Sequence, residues 1–201
     1  GMEPEHISAY SLIIEEGTPF AEKKPELPDE EEERRMYERT WEILQSYGYH
    51  QYEISNYAKK GKECRHNLGY WTRKEYLGFG VGSGGGCCEG SGRPFHERRF
   101  RIAAPEARIG RAARGRRSGP KAESGGDQME ETMILGLRLL CGVSRNEFRK
   151  NFGRSVEEVY GPVLEKYSRM GLLKIEGDRI ALTRAGISVS NPIMADFLLD
   201  E

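Results

Sequence analysis

Tyr49-His50-Gln51-Tyr52-Glu53-Ile54-Ser55-Asn56-Tyr57-Ala58, and then Cys64-Arg65-His66-Asn67-Leu68-Gly69-Tyr70-Trp71, is the stretch on which the reading of this chain turns. Tyr49 to Tyr57 reads as a β-strand. At its end and beyond it, Ser55, Asn56, His66 and Asn67 supply directional hydrogen-bonding groups, interleaved with the flat rings of Tyr57, Tyr70 and Trp71. That mixture suits a pocket wall that grips a flat ligand by stacking and fixes its orientation with a few polar contacts. The plainer alternative is a half-buried strand followed by a turn rich in amides.

Working outward, His6 to Ile14 is apolar on both faces, with Ile7, Ala9 and Ile13 set against Tyr10, Leu12 and Ile14. Burial on both faces is what a parallel strand inside an α/β layer requires. Gly17-Thr18-Pro19 ends it. Asp29 is placed to cap a helix, with Glu32 at the capping-box position and acids filling the first turn. Met36, Thr40, Ile43 and Tyr47, flanked by Tyr37, Trp41 and Leu44, form its apolar stripe, and Gly48 stops it. Strand, helix and strand in this order predict a parallel, right-handed βαβ unit. Tyr76 to Gly82 reads as a third strand. Its alternating Gly78, Gly80 and Gly82 would let backbone approach a ligand, or turn a tight barrel corner.

The composition divides the chain into residues 1–83, 84–126 and 127–201. Gly82 to Gly126 contains no Leu, Val, Met, Tyr, Thr, Asn or Asp, while Gly and Arg abound. Such a segment buries too little apolar surface to offset an ordering entropy of roughly 1–2 kcal/mol per residue. It reads as a disordered or frameshifted stretch. Codons for Arg93 to Arg98 can be chosen so that reading one nucleotide later gives Val-Arg-Phe-Thr-Asn.

Regular patterning resumes at Asp127. Met133, Leu137 and Leu140 line one helix, with Gly142 as its expected stop. Ser144 with Glu147, and Ser155 with Glu158, are capping boxes opening two more. Gly161-Pro162 kinks or restarts the last of these, and Gly171 ends it. Leu172 to Ile175 and Arg179 to Leu182 then pair across Gly177-Asp178, a favoured two-residue hairpin loop. Thr183 caps a final helix. Three helices followed by a hairpin is the winged-helix order. The helix that would enter a DNA groove opens with Glu157 and Glu158, a poor match for phosphates.

The 201 residues, 37% of them hydrophobic, suffice for one respectable core or two small ones. A formal net charge of −1 favours neither nucleic acid nor an anionic membrane surface. No apolar run approaches the roughly 18 residues that span a bilayer. The four cysteines, Cys64, Cys87, Cys88 and Cys141, lack zinc or redox spacing and are expected to be reduced thiols of a cytoplasmic protein.

His6-Ile7-Ser8-Ala9-Tyr10-Ser11-Leu12 with Glu15 to Pro19, Tyr52 to Ala58, His66-Asn67 with Tyr70-Trp71, Gly78 to Gly82, and the run from Asp127 to Asn191 together resemble the oxygen-independent coproporphyrinogen III oxidase-like family of radical S-adenosylmethionine (radical SAM) proteins. The His-Asn, Tyr-Trp motif resembles the branch that includes heme chaperones. The resemblance implies α/β plus α+β architecture: a partial (β/α) barrel followed by a winged-helix-like C-terminal domain. It also implies a parent protein with a four-iron four-sulfur cluster and S-adenosylmethionine. The Cys-x-x-x-Cys-x-x-Cys motif that would hold the cluster is absent, as are the early barrel strands, so the chain resembles a C-terminal fragment without radical activity of its own. Its implied partners are porphyrin or heme and the missing N-terminal half of the barrel, with no nucleic acid and no stable membrane insertion.

The same resemblance assigns roles residue by residue. His66 becomes a candidate heme or porphyrin contact, flanked by Asn67, with Tyr70 and Trp71 as stacking partners. Ile13 and Gly82 match positions near the adenosyl group, while Tyr10 and Asn56 line the pocket. No residue is assigned a catalytic or metal-ligating role. Two functions from different classes stay open, radical decarboxylation of coproporphyrinogen and non-enzymatic heme transfer, with a winged-helix regulator as a third.

Overall fold

The computed structural model describes residues 2–14, 16–23, 25–74 and 125–199. The third strand expected over Tyr76 to Gly82, residues 84–124 of the segment 84–126, Cys87, Cys88 and Gly82 therefore lie outside the described residues, while residues 125 and 126 are helical. Helices and two small sheets make up a mixed α and β architecture.

The first sheet contains β1 (His6–Ser8), β2 (His50–Glu53) and β3 (Asn56–Ala58), in the order β1-β3-β2. Both pairings are antiparallel, with Ile7 opposite Tyr57 and Gln51 opposite Tyr57. The parallel βαβ expectation is thus corrected: β1 and β2 run in one direction, but β3 lies between them. The single strand expected from Tyr49 to Tyr57 is a hairpin. Glu53 causes the reversal, because its Oε1 accepts hydrogen bonds from the Ser55 amide (2.8 Å) and from Asn56 Nδ2 (2.5 Å). A side chain bonding to backbone two residues on closes a turn that no Gly or Pro announces. The strand expected over His6 to Ile14 is likewise short. After Ala9 donates to Ser55 O at 2.9 Å, β3 offers no further partner, and residues 9–14 continue as coil with Tyr10, Leu12 and Ile13 exposed.

Between these strands lie α1 (Pro19–Glu22), capped by Thr18, and α2 (Glu30–Ser46), capped by Asp29 Oδ1 accepting from the Glu32 amide at 2.8 Å. The expected stripe of α2 is rotated. Met36 is 60% and Tyr47 72% exposed, whereas Tyr37, Trp41 and Leu44 are half-buried. Arg184 decides the face, its guanidinium lying 3.9 Å from the Trp41 ring centroid and 5.7 Å from that of Tyr37.

After α3 (Arg65–Trp71), the C-terminal part runs α4 (Gly125–Gly136), β4 (Val143–Ser144), α5 (Arg145–Phe152), α6 (Val156–Arg169), β5 (Leu173–Glu176), β6 (Arg179–Leu182), α7 (Arg184–Ser188) and α8 (Ser190–Ala195). Three helices and a hairpin follow one another as the sequence predicts, with β4 added as an edge strand against β6. The hairpin turns at Gly177, φ +56°. Ser155 and Glu158 form a reciprocal capping box, and Tyr160 leaves helical geometry two residues before Pro162, which has no N–H to donate. Helix α4, however, ends at Gly136 rather than at Gly142. Residues 138–140 leave it to pair with the first sheet: Ile54 N donates to Arg138 O, and Leu140 N to Tyr52 O, each at 3.1 Å. Gly142 still matters, at φ +66°, because a Cβ there would sit 2.0 Å from Ile180 O.

One apolar core serves the C-terminal part, built on Met133, Leu137, Phe148, Val156, Tyr160, Leu164, Ile180, Ile193 and Phe197. Tyr37 and Ile54 pack against its margin, so the first sheet and α2 use the C-terminal helices as cover.

Candidate functional site

The short helix α3 carries the four clustered residues singled out from the sequence, and it sorts them into two stripes. His66 and Tyr70, one turn apart, lie together with ring centroids 4.7 Å apart and planes at 88°. Asn67 and Trp71 form the neighbouring stripe, which faces protein. Asn67 Nδ2 donates to the Tyr52 hydroxyl at 3.4 Å, and the Arg138 guanidinium lies 4.4 Å from the Trp71 ring centroid. The turn rich in amides expected here is therefore helical, and the four residues fall on adjacent faces by ordinary helical spacing.

Helix α3 is a seven-residue helix, and no side chain bonds its N-terminus at Cys64. A helix that short has little stability of its own, so tertiary anchors place it. Its C-terminal end is held by Arg73, at φ +55°, whose guanidinium donates to Glu131 Oε2 (2.6 Å), Gln128 O (2.8 Å) and Thr132 Oγ1 (2.6 Å) on α4.

The three described histidines differ in commitment. His6 Nε2 shares a 2.9 Å hydrogen bond with the Tyr52 hydroxyl. His50 Nε2 pairs with Glu63 Oε1 at 2.8 Å, and backbone amides at Glu63 and Gly61 help hold that carboxyl below its usual range. His66 is exposed and, among the described residues, no hydrogen bond engages its ring nitrogens. Its imidazole is free to ligate.

Behind α3 the first sheet buries Gln51 and Glu53, which the sequence did not single out, together with Asn56, which it did. Glu53 is fully buried, and its Oε2 faces Arg138 Nη2 at 3.7 Å. Asn56, also buried, accepts from Ser8 Oγ at 2.5 Å and reaches the Tyr10 hydroxyl at 3.4 Å. Tyr10 and Asn56, both expected to line a pocket, are thus brought together. Gln51 donates to the Tyr37 hydroxyl (2.5 Å) and Ile54 O (2.8 Å), and accepts from Arg184 Nη1 (2.9 Å). Burial pushes the Tyr52 hydroxyl above its ordinary pKa and that of Tyr57 up to about 12. The signal for Arg138 was present: it is the lone charge in the apolar run Met133 to Leu140. Ile13 stands apart from this cluster, 76% exposed on the coil after β1.

A cavity of about 730 Å³ opens beside α3, with Trp71, Arg73, Leu139, Val143, Phe152 and Arg179 among its walls. That volume lies within the roughly 300–1,000 Å³ usual for small-molecule sites. The iron–sulfur cluster does not fit what is described. Cys64 and Cys141 are free thiols, and among the described residues no three His, Cys, Asp or Glu side chains come together as a metal site. Among those residues, too, no helix is long and apolar enough to cross a membrane.

Residues 124–189 match the HemN C-terminal domain. Over 98% of its length the chain is 35% identical to the heme chaperone HemW of Bacillus subtilis, of which it covers 52%. It is 32% identical over 99% of its length to heme chaperone HemW of Escherichia coli, covering 51% of that protein. Over 72% of its length it is 32% identical to the mitochondrial radical S-adenosyl methionine domain-containing protein 1 of Danio rerio, covering 34%. No solved structure matches. The chain spans about half the length of the curated HemW proteins it matches. It carries the C-terminal domain of the HemN-like radical SAM proteins and belongs to that family, on the branch of the heme chaperones.

Proposed function

We propose that this chain is the heme-holding C-terminal portion of a cytoplasmic heme-transfer protein, with His66 as the axial ligand. The observation that carries the reading is the contrast among the histidines: His6 and His50 are committed to Tyr52 and Glu63, whereas His66 is exposed with the Tyr70 ring edge-on beside it. A neutral imidazole ligates heme iron, and an adjacent ring covers part of the macrocycle. The name of the relatives, heme chaperone HemW, supports the same class of cargo. In this reading Asn67 and Trp71 fix the helix from behind, and the cavity beside Trp71 takes the ligand's periphery.

The architecture belongs to the same proposal. Residues 2–74 form part of a (β/α) barrel, and the three helices and hairpin of residues 125–199 form a winged-helix-like domain that packs on it. The N-terminal half of the barrel would supply the cluster and S-adenosylmethionine, and Ile13 and Gly82 match positions near the adenosyl group in the family's barrel. That half also covers the apolar side chains left outside, among them Ile13, Met36 and Tyr47. A nucleic-acid role gains no support from α6 and its surroundings, where Arg145 pairs with Glu157, Lys166 with Asp196 and Arg169 with Glu165. The test is a Soret titration with hemin. Wild type is expected to bind one equivalent and His66→Ala to lose most of the affinity. Equal affinity in the variant, together with decarboxylation of coproporphyrinogen by the full-length protein, would overturn the transfer reading in favour of the oxidase.

A further inference from the structure

Both tryptophans of this chain are stacked by an arginine contributed by the C-terminal part: Arg184 on Trp41 and Arg138 on Trp71. The two stacks differ in what they hold. Arg184 fastens α2, whereas Arg138 fastens α3. We propose that Arg138 is a positioning residue for the ligand at His66, through which the C-terminal domain sets the angle of α3.

The geometry leaves Arg138 little choice of place. Its carbonyl accepts from Ile54 N, and Leu140 N two residues on donates to Tyr52 O, so its backbone is fixed against β2. Its side chain then lies between two groups of the first region: the buried Glu53 carboxylate, 3.7 Å from Nη2, and the Trp71 ring, 4.4 Å from Cζ. Trp71 follows Tyr70 directly, and Tyr70 sits one turn from His66 on a helix without stability of its own. A change in the tilt of the indole therefore changes the direction of the imidazole. Glu53 Oε2, Arg138 Nε and Trp71 Nε1 have no hydrogen-bond partner among the described residues, so stacking and one long ion pair hold this joint. A guanidinium is suited to it because it is flat and stacks; an ammonium is not.

This inference rests on His66 being the ligand, and the experiment separates the two. Hemin is titrated into wild type, His66→Ala, Arg138→Lys and Arg184→Lys, with thermal melting alongside. Arg138→Lys keeps a cation facing Glu53 but loses the flat stack. It is expected to bind hemin about tenfold more weakly, with a displaced Soret band. Arg184→Lys loses an equivalent stack at the same boundary between the two parts and is expected to keep affinity within about twofold and the wild-type Soret position. Wild-type binding by Arg138→Lys while His66→Ala fails to bind would overturn the positioning role and leave the site standing. Equal weakening in both lysine variants would reduce Arg138 to a general fastener. Wild-type binding by His66→Ala would remove the site and this inference together. If Arg138→Lys does not fold, Trp71→Phe carries the same expectation from the other side of the stack, judged against the same Arg184→Lys control.

Discussion

The two parts of the molecule bury opposite kinds of side chain. The C-terminal part encloses an apolar core from Met133 to Phe197, and polar groups occupy its caps and surface. The N-terminal part places Gln51, Glu53 and Asn56 inside, beside Tyr52 and Tyr57, and leaves Ile13, Met36 and Tyr47 outside. A core of amides and one carboxylate specifies geometry more than it supplies stability, since each group gains little beyond replacing its water. The C-terminal part can thus stand as a scaffold, while the N-terminal part depends on it for cover and carries the side chains proposed to meet a ligand.

The strongest way to break this contrast is to open the scaffold. Phe197 is fully buried, its ring 5.1 Å from that of Tyr160. Phe197→Ala should cost about 4 kcal/mol, read by denaturant titration, and the first sheet should lose amide protection along with the C-terminal helices. Persistence of protection at Gln51 to Tyr57 would show the N-terminal part standing alone. Next in size is Glu53→Ala, which removes the acceptor of the hairpin turn and leaves Arg138 unpaired. The expected cost is about 2–3 kcal/mol, with amide exchange accelerated in residues 50–58 and unchanged at Phe148 and Ile180.

Two pH effects sharpen the comparison further. Tyr57 is buried without a hydroxyl partner among the described residues, and burial lifts its pKa to about 12. A raised folded pKa means that its contribution is complete below the ordinary tyrosine value near 10 and is lost as pH rises through about 12. Tyr57→Phe should leave neutral stability almost unchanged and move the alkaline unfolding limb upward. The smallest expected effect lies in the scaffold. Asp178 accepts from Ser144 Oγ at 2.6 Å and from the Asn146 amide at 2.8 Å, which hold its carboxyl below the usual range. A lowered folded pKa stabilises above the ordinary aspartate value near 3.9 and is lost on acidification below it. Asp178→Asn should flatten that acid limb by a barely measurable amount, as the group is solvent-exposed.

What was legible in the sequence was what neighbouring residues decide among themselves. Ser155 with Glu158, Thr183, Pro162 and Gly177-Asp178 each fix a cap, a kink or a turn from within a few residues, and each appears as expected. The hairpin at Ile54-Ser55 was missed because Glu53, a residue with no turn preference, closes it. The inward face of α2 was misread because its aromatic and aliphatic residues cover more than one side, and Arg184, remote in sequence, chooses among them. At the candidate site the residue types of His66, Asn67, Tyr70 and Trp71 were legible. Their division into an outward and an anchored stripe was not, because Tyr52 and Arg138 impose it.

The most direct test is to identify the nitrogen bound to iron. Electron–nuclear double resonance of ferric hemin on protein labelled with 15N-histidine should show a histidine nitrogen coupled to the iron. That signal should persist in His6→Ala, His50→Ala and His96→Ala and vanish in His66→Ala. A coupling that survives in His66→Ala, or one that disappears with another histidine, would contradict the assignment of the heme ligand to α3.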